Sequence, residues 1–436
     1  MLMRFFYYLE LARRSFRRHR ALTALTVLAI ALGIGTSMTT LTVLHVLSND
    51  PLPGKSQRVY AVQLDAQSQD RYRPNGEPAL ELTRQDAEAL LAARRGAHQA
   101  LMNSGLAALE PERADLPPFF VDALYTSSDF FALFDVPFAA GAPWSGADDA
   151  ARARVAVISK ELEQKLFGAG QGLGRSVRLD GHDFVVAGVL GRWHPTPHFY
   201  ELSVGAYEYT EQVFLPFSTS RELELSASGN LMCWGDAGAD PLALGAPCAW
   251  LQFWVQLDTR QQAAEYRDFL VSYSEEQRRA GRFAVPPNVR LRNVSEWLEF
   301  RGAVPSDVRL QAWLALAFLA VCLLNAAGLL LAKFLRRSQE IAVRRALGAS
   351  RRAIFAQFLV EAGSVGLAGG LLGLGLAWLG SWAVRQQPVE YAPLVQLDLS
   401  LLAGTFALSL VSSLLAGVLP AWRAGQVAPA LQLKSH

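Results

Sequence analysis

Four stretches of this 436-residue chain are almost free of Asp, Glu, Lys and Arg, and they restrict its folding more than any other feature. Arg20 and Asp50 bracket 29 uncharged residues, and Arg309 and Lys333 bracket 23. Arg352 and Arg385 bracket 32 whose only charge is Glu361, and Asp398 and Arg423 bracket 24. A helix needs roughly 20 apolar residues to cross a hydrocarbon core of about 30 Å, so all four runs qualify. A soluble enzyme, a nucleic-acid-binding domain and a β-barrel are excluded; barrel segments would alternate over about 10 residues.

The net charge of +2 conceals a separation. Residues 48–308 hold 24 Lys/Arg and 34 Asp/Glu, a net of −10, whereas the rest of the chain carries +12. Basic flanks stay cytoplasmic. Arg4, Arg13, Arg14, Arg17, Arg18 and Arg20 precede the first run, and the connection 333–352 has seven basic residues and one acid. Both are therefore expected inside, with the 261-residue insert 48–308 and the short connection 385–398 outside and both termini in the cytoplasm. The first run is about twice the length of a signal-peptide core, and no A-x-A-like site closes it, so an uncleaved anchor is expected. Leu2, Phe5, Phe6, Leu9, Ala12 and Phe16 recur at helical spacing before it. Residues 1–20 are read as an amphipathic helix along the inner leaflet, or as a plain basic topology anchor.

The expected fold is an α-helical membrane domain of four transmembrane helices (21–47, 309–332, 353–384 and 399–422), with a large α+β extracytoplasmic domain inserted between helices 1 and 2 and a cytoplasmic tail at 423–436. The insert is long enough for two subdomains. Strands are expected at Arg58–Asp65, Val121–Tyr125, Val155–Ile158, Leu251–Leu257 and Val289–Val294, and helices at 83–93, 160–167 and 261–280. Asp180-Gly181 between Ser176–Leu179 and Phe184–Val189 signals a hairpin, because Gly tolerates the positive φ of a type I′ turn. Residues 97–118 and 226–247 read as surface insertions. Cys233 and Cys248 fall in the outside domain, 15 positions apart, and read as a disulfide closing a loop worth roughly 3 kcal/mol; two unpaired thiols are the alternative. Cys322 is an apolar filler within the second run.

Candidate chemistry mostly dissolves on inspection. Gly168–Ser176 is Gly-rich, but a Walker A loop needs Lys after its final Gly and a Gly five positions before that Gly. Arg175 and Ala169 stand there, so a turn is preferred. His194 and His198 are separated by Pro195-Thr196-Pro197, which forbids a shared helix face. No metal site, cofactor or catalytic group is expected on this chain. Glu361 is an intramembrane acid or, if 353–360 lies at the interface, a membrane-boundary acid that anchors the helix or meets a partner. Gly366, Gly369, Gly370, Gly373 and Gly375 line the same helix with GxxxG spacing, which permits close packing within one subunit or between two. The inside connection carries Gly348, suited to a helix C′ position, and Ser350, suited to an N-cap. It is either a solvated basic turn or a docking knob for an ATPase.

The run Glu340-Ile341-Ala342-Val343-Arg344-Arg345-Ala346-Leu347-Gly348-Ala349, followed by Gln357-Phe358-Leu359-Val360-Glu361-Ala362, resembles the MacB/FtsX-like ABC permease family, whose pattern is close to E-I-G-I-R-R-A-L-G-A … Q-F-L-x-E-A. Ala342 departs from the usual Gly. Gly417–Ala424 with Pro429 resembles that family's closing motif, and Ser128–Phe131, Val155–Ile158, Leu166–Gly168 and Phe184–Val189 resemble its periplasmic core domain. The resemblance implies a type VII ABC system in the bacterial inner membrane. It also implies a second permease chain, identical or paralogous, and two copies of an ABC ATPase subunit that bind ATP and Mg on a separate polypeptide. Glu340, Ile341, Arg344, Arg345, Leu347 and Gly348 would form the ATPase-coupling knob, with Ile341 and Leu347 filling a groove and both arginines meeting acids around it. Export through a periplasmic adaptor and an outer-membrane channel is the expected role. The alternatives are a lipoprotein-extracting permease and a non-transporting permease that controls a cell-wall hydrolase.

Overall fold

The computed structural model describes Phe16, residues 20–337 except 74–75, 203–204 and 208–210, then Glu340, Val343, Arg344, 347–388, 391–394 and ten residues between 402 and 418. It divides into two compact units, 49–303 and the two flanking segments taken together.

Among its described residues the inserted unit has twelve strands: β1 Val59–Leu64, β2 Leu82–Thr83, β3 Gln99–Glu110, β4 Phe119–Thr126, β5 Phe138–Gly141, β6 Val155–Ile158, β7 Ser176–Leu179, β8 His182–Leu190, β9 Val213–Pro216, β10 Met232–Cys233, β11 Cys248–Gln256 and β12 Val289–Asn293. Its helices are α2 Arg84–Ala93, α3 Phe130–Leu133, α4 Gly146–Ala151, α5 Lys160–Leu166, α6 Phe217–Glu222, α7 Arg260–Arg279 and α8 Val294–Phe300, while α1 Arg20–Leu47, α9 Ser306–Leu335 and α10 Arg351–Arg385 belong to the other unit. The main sheet runs β12-β1-β11-β3-β4-β9-β6-β8-β5. β4–β9 and β6–β8 pair in parallel and the other neighbours are antiparallel.

Two hydrophobic cores lie on the two faces of this sheet. Successive strand side chains point to opposite faces. Leu251, Phe253 and Val255 of β11 therefore join one core and Trp254 the other. Leu215 and Phe214 of β9, and Ile158 and Val157 of β6, divide the same way. This explains why β11, whose alternating sequence reads as half-exposed, is buried along its whole length. The second core is aromatic: Phe130 sits edge-on to Phe134 and Tyr200 at 5.0 and 5.4 Å, and Trp193 stacks on Tyr200 at 5.5 Å.

Residues 97–118, expected as a surface insertion, contain the 12-residue β3. Buried Asn103 and Ser104 interrupt the apolar pattern, and Gly105 is required because a Cβ there would come within 2.4 Å of the Tyr125 ring. Residues 226–247 are mostly irregular, and they are tied down where Cys233 of β10 faces Cys248 of β11 in a disulfide. Local signals fare well elsewhere. Thr83 Oγ1 accepts the Asp86 amide at the start of α2, and Asp180 and Gly181 take φ of 47° and 79° in the β7–β8 turn.

Among the described residues three helices are long and apolar enough to cross a membrane: α1, α9 and α10. α10 is continuous from Arg351, so 353–360 forms its first part. Of 399–422 only ten residues are described, all helical, and residues 1–15, 17–19 and 423–436 lie outside the described set. The count of four spans is therefore not decided by the described residues. α1 packs against both α9 and α10. A Cβ on Gly369 would come within 2.7 Å of Ile30, and one on Gly373 within 2.9 Å of Ile34. Gly366 and Gly370 are also buried. The glycine face of α10 thus receives α1 of the same chain, whereas Gly375 has nothing within 4 Å. Ser37 Oγ crosses to Ala315 O at 2.9 Å. Outward, Trp313 and Leu324 are each 72% exposed, as lipid-facing side chains would be.

Candidate functional site

The polar groups of the helical unit converge where α9 ends and α10 begins. Lys333 lies in the last turn of α9 and Arg337 two residues beyond its end, while Gln357 and Glu361, four residues apart on α10, share a helix face. Lys333 Nζ lies 2.7 Å from Glu361 Oε1, and the two side chains are only 2% and 1% exposed. Arg337 reaches Glu361 Oε2 at 3.2 Å and Glu340 at 3.1 Å. Glu340 in turn holds Arg344 at 2.8 Å, and Arg344 donates to Gln357 Oε1 at 3.0 Å. Lys333 also donates to Thr23 Oγ1 of α1 at 3.0 Å and lies 4.9 Å from the Phe16 ring centroid. Beneath these charges Phe334 and Phe358 pack at 4.1 Å with Leu330, Ile354 and Ala362.

The network ties the connection between α9 and α10 to both helices and, through Thr23, to α1. A buried charge is tolerated only when paired and hydrogen-bonded, and Lys333, Glu361 and Arg337 satisfy one another. The turn itself is set locally. Gly348 has φ +97°, and Ser350 Oγ accepts the Ala353 amide at 3.2 Å to cap α10. At its tip Leu347 is 83% exposed, and Val343 is also exposed.

Set against the sequence, Glu340, Arg344, Leu347 and Gly348 fall together in this turn, while Ile341 and Arg345 lie outside the described residues. Within the chain, Glu361 has Lys333 and Arg337 as partners, and Arg344 is engaged by Glu340 and Gln357. Lys333 was legible only as the charge that ends the second run; a contact across 28 positions leaves no periodic trace. Among the described residues no group of His, Cys, Asp and Glu is arranged to hold a metal.

A second polar cluster lies inside the inserted unit and was invisible in the sequence. Gln252 Nε2 donates to Glu201 Oε1 at 3.0 Å and to Glu81 Oε1 at 3.4 Å. Burial, and then the neighbouring Glu201, push the Glu81 carboxyl up to about 8. His198 faces Glu211 at 3.3 Å, and the Tyr200 hydroxyl donates to Glu211 at 2.7 Å.

Together these features define a helical membrane protein that carries a folded insert and a charged turn between two of its spans. A family model described as MacB-like periplasmic core domain matches residues 23–270, and one described as FtsX-like permease C-terminal matches 313–429. The chain belongs to the MacB/FtsX-like family of ABC transporter permeases. It is 27% identical over 318 residues to the pyoverdine export ATP-binding/permease protein PvdT of Pseudomonas syringae pv. tomato, a match covering 70% of this chain and 42% of that protein. It is 40% identical over 112 residues to the macrolide export ATP-binding/permease protein MacB of Brucella abortus, covering 25% of this chain and 16% of that one. The periplasmic region of MacB from Actinobacillus actinomycetemcomitans aligns with 59% of this chain and 97% of its own, at 14% identity and a TM-score of 0.36. The chain thus spans less than half the length of the curated relatives it matches over most of its own length.

Proposed function

We propose that this permease transmits ATPase-driven motion from a cytoplasmic turn, residues 336–350, to an inserted domain outside the membrane, and so exports substrate through an assembly with an adaptor and an outer-membrane channel. The observation that carries it is the combination of an exposed Leu347 with a turn bound by Arg344, Glu340 and Arg337 to Glu361 of α10. A force on such a turn moves α9 and α10 together, because its ionic contacts bridge both helices. The excess of basic residues in 333–352 supports a cytoplasmic position, and the export names of PvdT and MacB support the direction of transport. ATP and Mg would be bound by a nucleotide-binding subunit, two copies serving a pair of permease chains, identical or paralogous.

Leu347→Asp places a carboxylate in the apolar contact with the ATPase. The variant is expected to insert and accumulate normally but to lose the co-purifying ATPase and transport. Full retention of both by a correctly inserted Leu347→Asp protein would move the docking site elsewhere.

A further inference from the structure

Asn325 carries the only side-chain amide between Ala312 and Lys333 of α9, and it is exposed. It has no hydrogen-bond partner among the described residues. It lies sixteen residues from Arg309 and eight from Lys333, which puts it about 6 Å from the middle of the charge-free run. The hydrocarbon at that depth offers no water to satisfy an amide. Asparagines inside membranes hydrogen-bond across to a neighbouring helix.

The residues above and below Asn325 form a seam. Leu314, Phe318, Val321, Asn325, Gly328 and Ala332 follow one another at alternating steps of four and three residues, the spacing that keeps one stripe of a helix against a partner helix. All six are exposed in the single chain. The face of α9 that meets α1 is a different one, made by Ala315, Leu319 and Cys322. Glycine weakens a helix interior, and nothing in the chain lies within 4 Å of the place a Cβ on Gly328 would take. Close approach of α1 accounts for Gly369 and Gly373 but not for Gly328. In the last apolar run, the described Leu414 lies against α10, 3.3 Å from the place of a Cβ on Gly363.

We infer that this seam receives α9 of a second copy of the same chain, with the Asn325 amides of the two copies hydrogen-bonded to each other. Two copies share one orientation in the membrane, so a two-fold axis along the membrane normal sets their α9 helices in parallel. Residues on that axis face their own counterparts. An asparagine amide carries both donors and an acceptor, so two facing asparagines satisfy each other, as two lysines or two glutamates would not. In parallel helix pairs a single inner asparagine fixes register and strand number. Gly328 and Ala332, four residues apart, let the two backbones close in. The inference rests on the reading of this chain as one of a pair of permeases, and it selects an identical partner.

The full chain would be tested in membranes with Cys322 replaced by Ala and the Cys233–Cys248 disulfide kept. Under a membrane-permeant oxidant, Phe318→Cys and Val321→Cys should each link to their own counterpart and run at doubled mass without reductant. Leu371→Cys, exposed on α10, should not. In lipid vesicles, a dilution series of fluorescently labelled protein should show Asn325→Leu weakening self-association by at least about fivefold. Asn325→Gln keeps donors and acceptor and should restore most of it. The Asn325→Leu protein should still retain the ATPase, so its defect is separable from failure of the coupling turn, which Leu347→Asp reports. Seam cysteines that stay unlinked, that link no better than Leu371→Cys, or that link instead to a cysteine placed in 399–422 of the same chain would overturn the inference. Self-association unchanged by Asn325→Leu would do the same.

Discussion

The two units of this protein solve opposite packing problems. In the inserted unit the large apolar side chains are inside, in two cores on the faces of one sheet, and Trp254, Phe130 and Phe214 are almost fully hidden. In the helical unit Trp313, Leu314, Leu324 and Leu371 face outward, and the contact between α1 and α10 is made of glycines. What the helical unit buries at the end of α9 is charge, in Lys333 and Glu361. Water drives apolar groups inward in the first unit. Lipid supplies no such drive between helices, so close backbone approach and satisfied polar groups hold the second together.

The severest test of that contrast is the ion cluster. Glu361→Ala leaves Lys333 buried without its carboxylate and is expected to cost about 3–5 kcal/mol, read as a loss of thermal stability in nanodiscs. Replacing both residues by Met should restore most of it, because the pair itself contributes little net stability. If Glu361→Ala melts like the parent, Lys333 reaches water and the cluster is not buried in the membrane protein.

A smaller effect is expected at the glycine face. Gly373→Val drives a branched side chain into Ile34 and should cost about 1–3 kcal/mol, whereas Gly375→Val on the same helix has open space and should be near neutral. Equal behaviour of the two variants would remove the close approach of α1 as the reason for the glycines.

The smallest effect sharpens the other half of the comparison. Glu81 keeps its proton in the folded insert up to about pH 8, whereas an unfolded glutamate ionises near 4.3. The unfolded state therefore loses its proton first as pH rises, and stability falls from roughly pH 4.3 to about 8 before levelling. Glu201 shares the site, so Glu81→Gln should recover only on the order of 1 kcal/mol at pH 8 and nothing at pH 4. Chemical denaturation of the full chain, followed by tryptophan fluorescence at the two pH values, reads this difference. An unchanged slope would assign the titration to another group.

What could be read from residues in order was what depends on near neighbours. Runs of uncharged residues set the candidate spans, Asp180-Gly181 the hairpin, Thr83 and Ser350 the helix starts, and Gly348 the turn with its positive φ. Each is fixed by sterics or hydrogen bonds within a few residues. β3 was lost because buried Asn103, Ser104 and Gly105 look like a loop until Tyr125 is known to lie across from them. The pairing of Lys333 with Glu361 and the two-faced burial of β11 belong to the tertiary structure alone. They join residues from tens to more than a hundred positions apart, and such contacts are chosen by whole-chain packing, which leaves no period in the sequence.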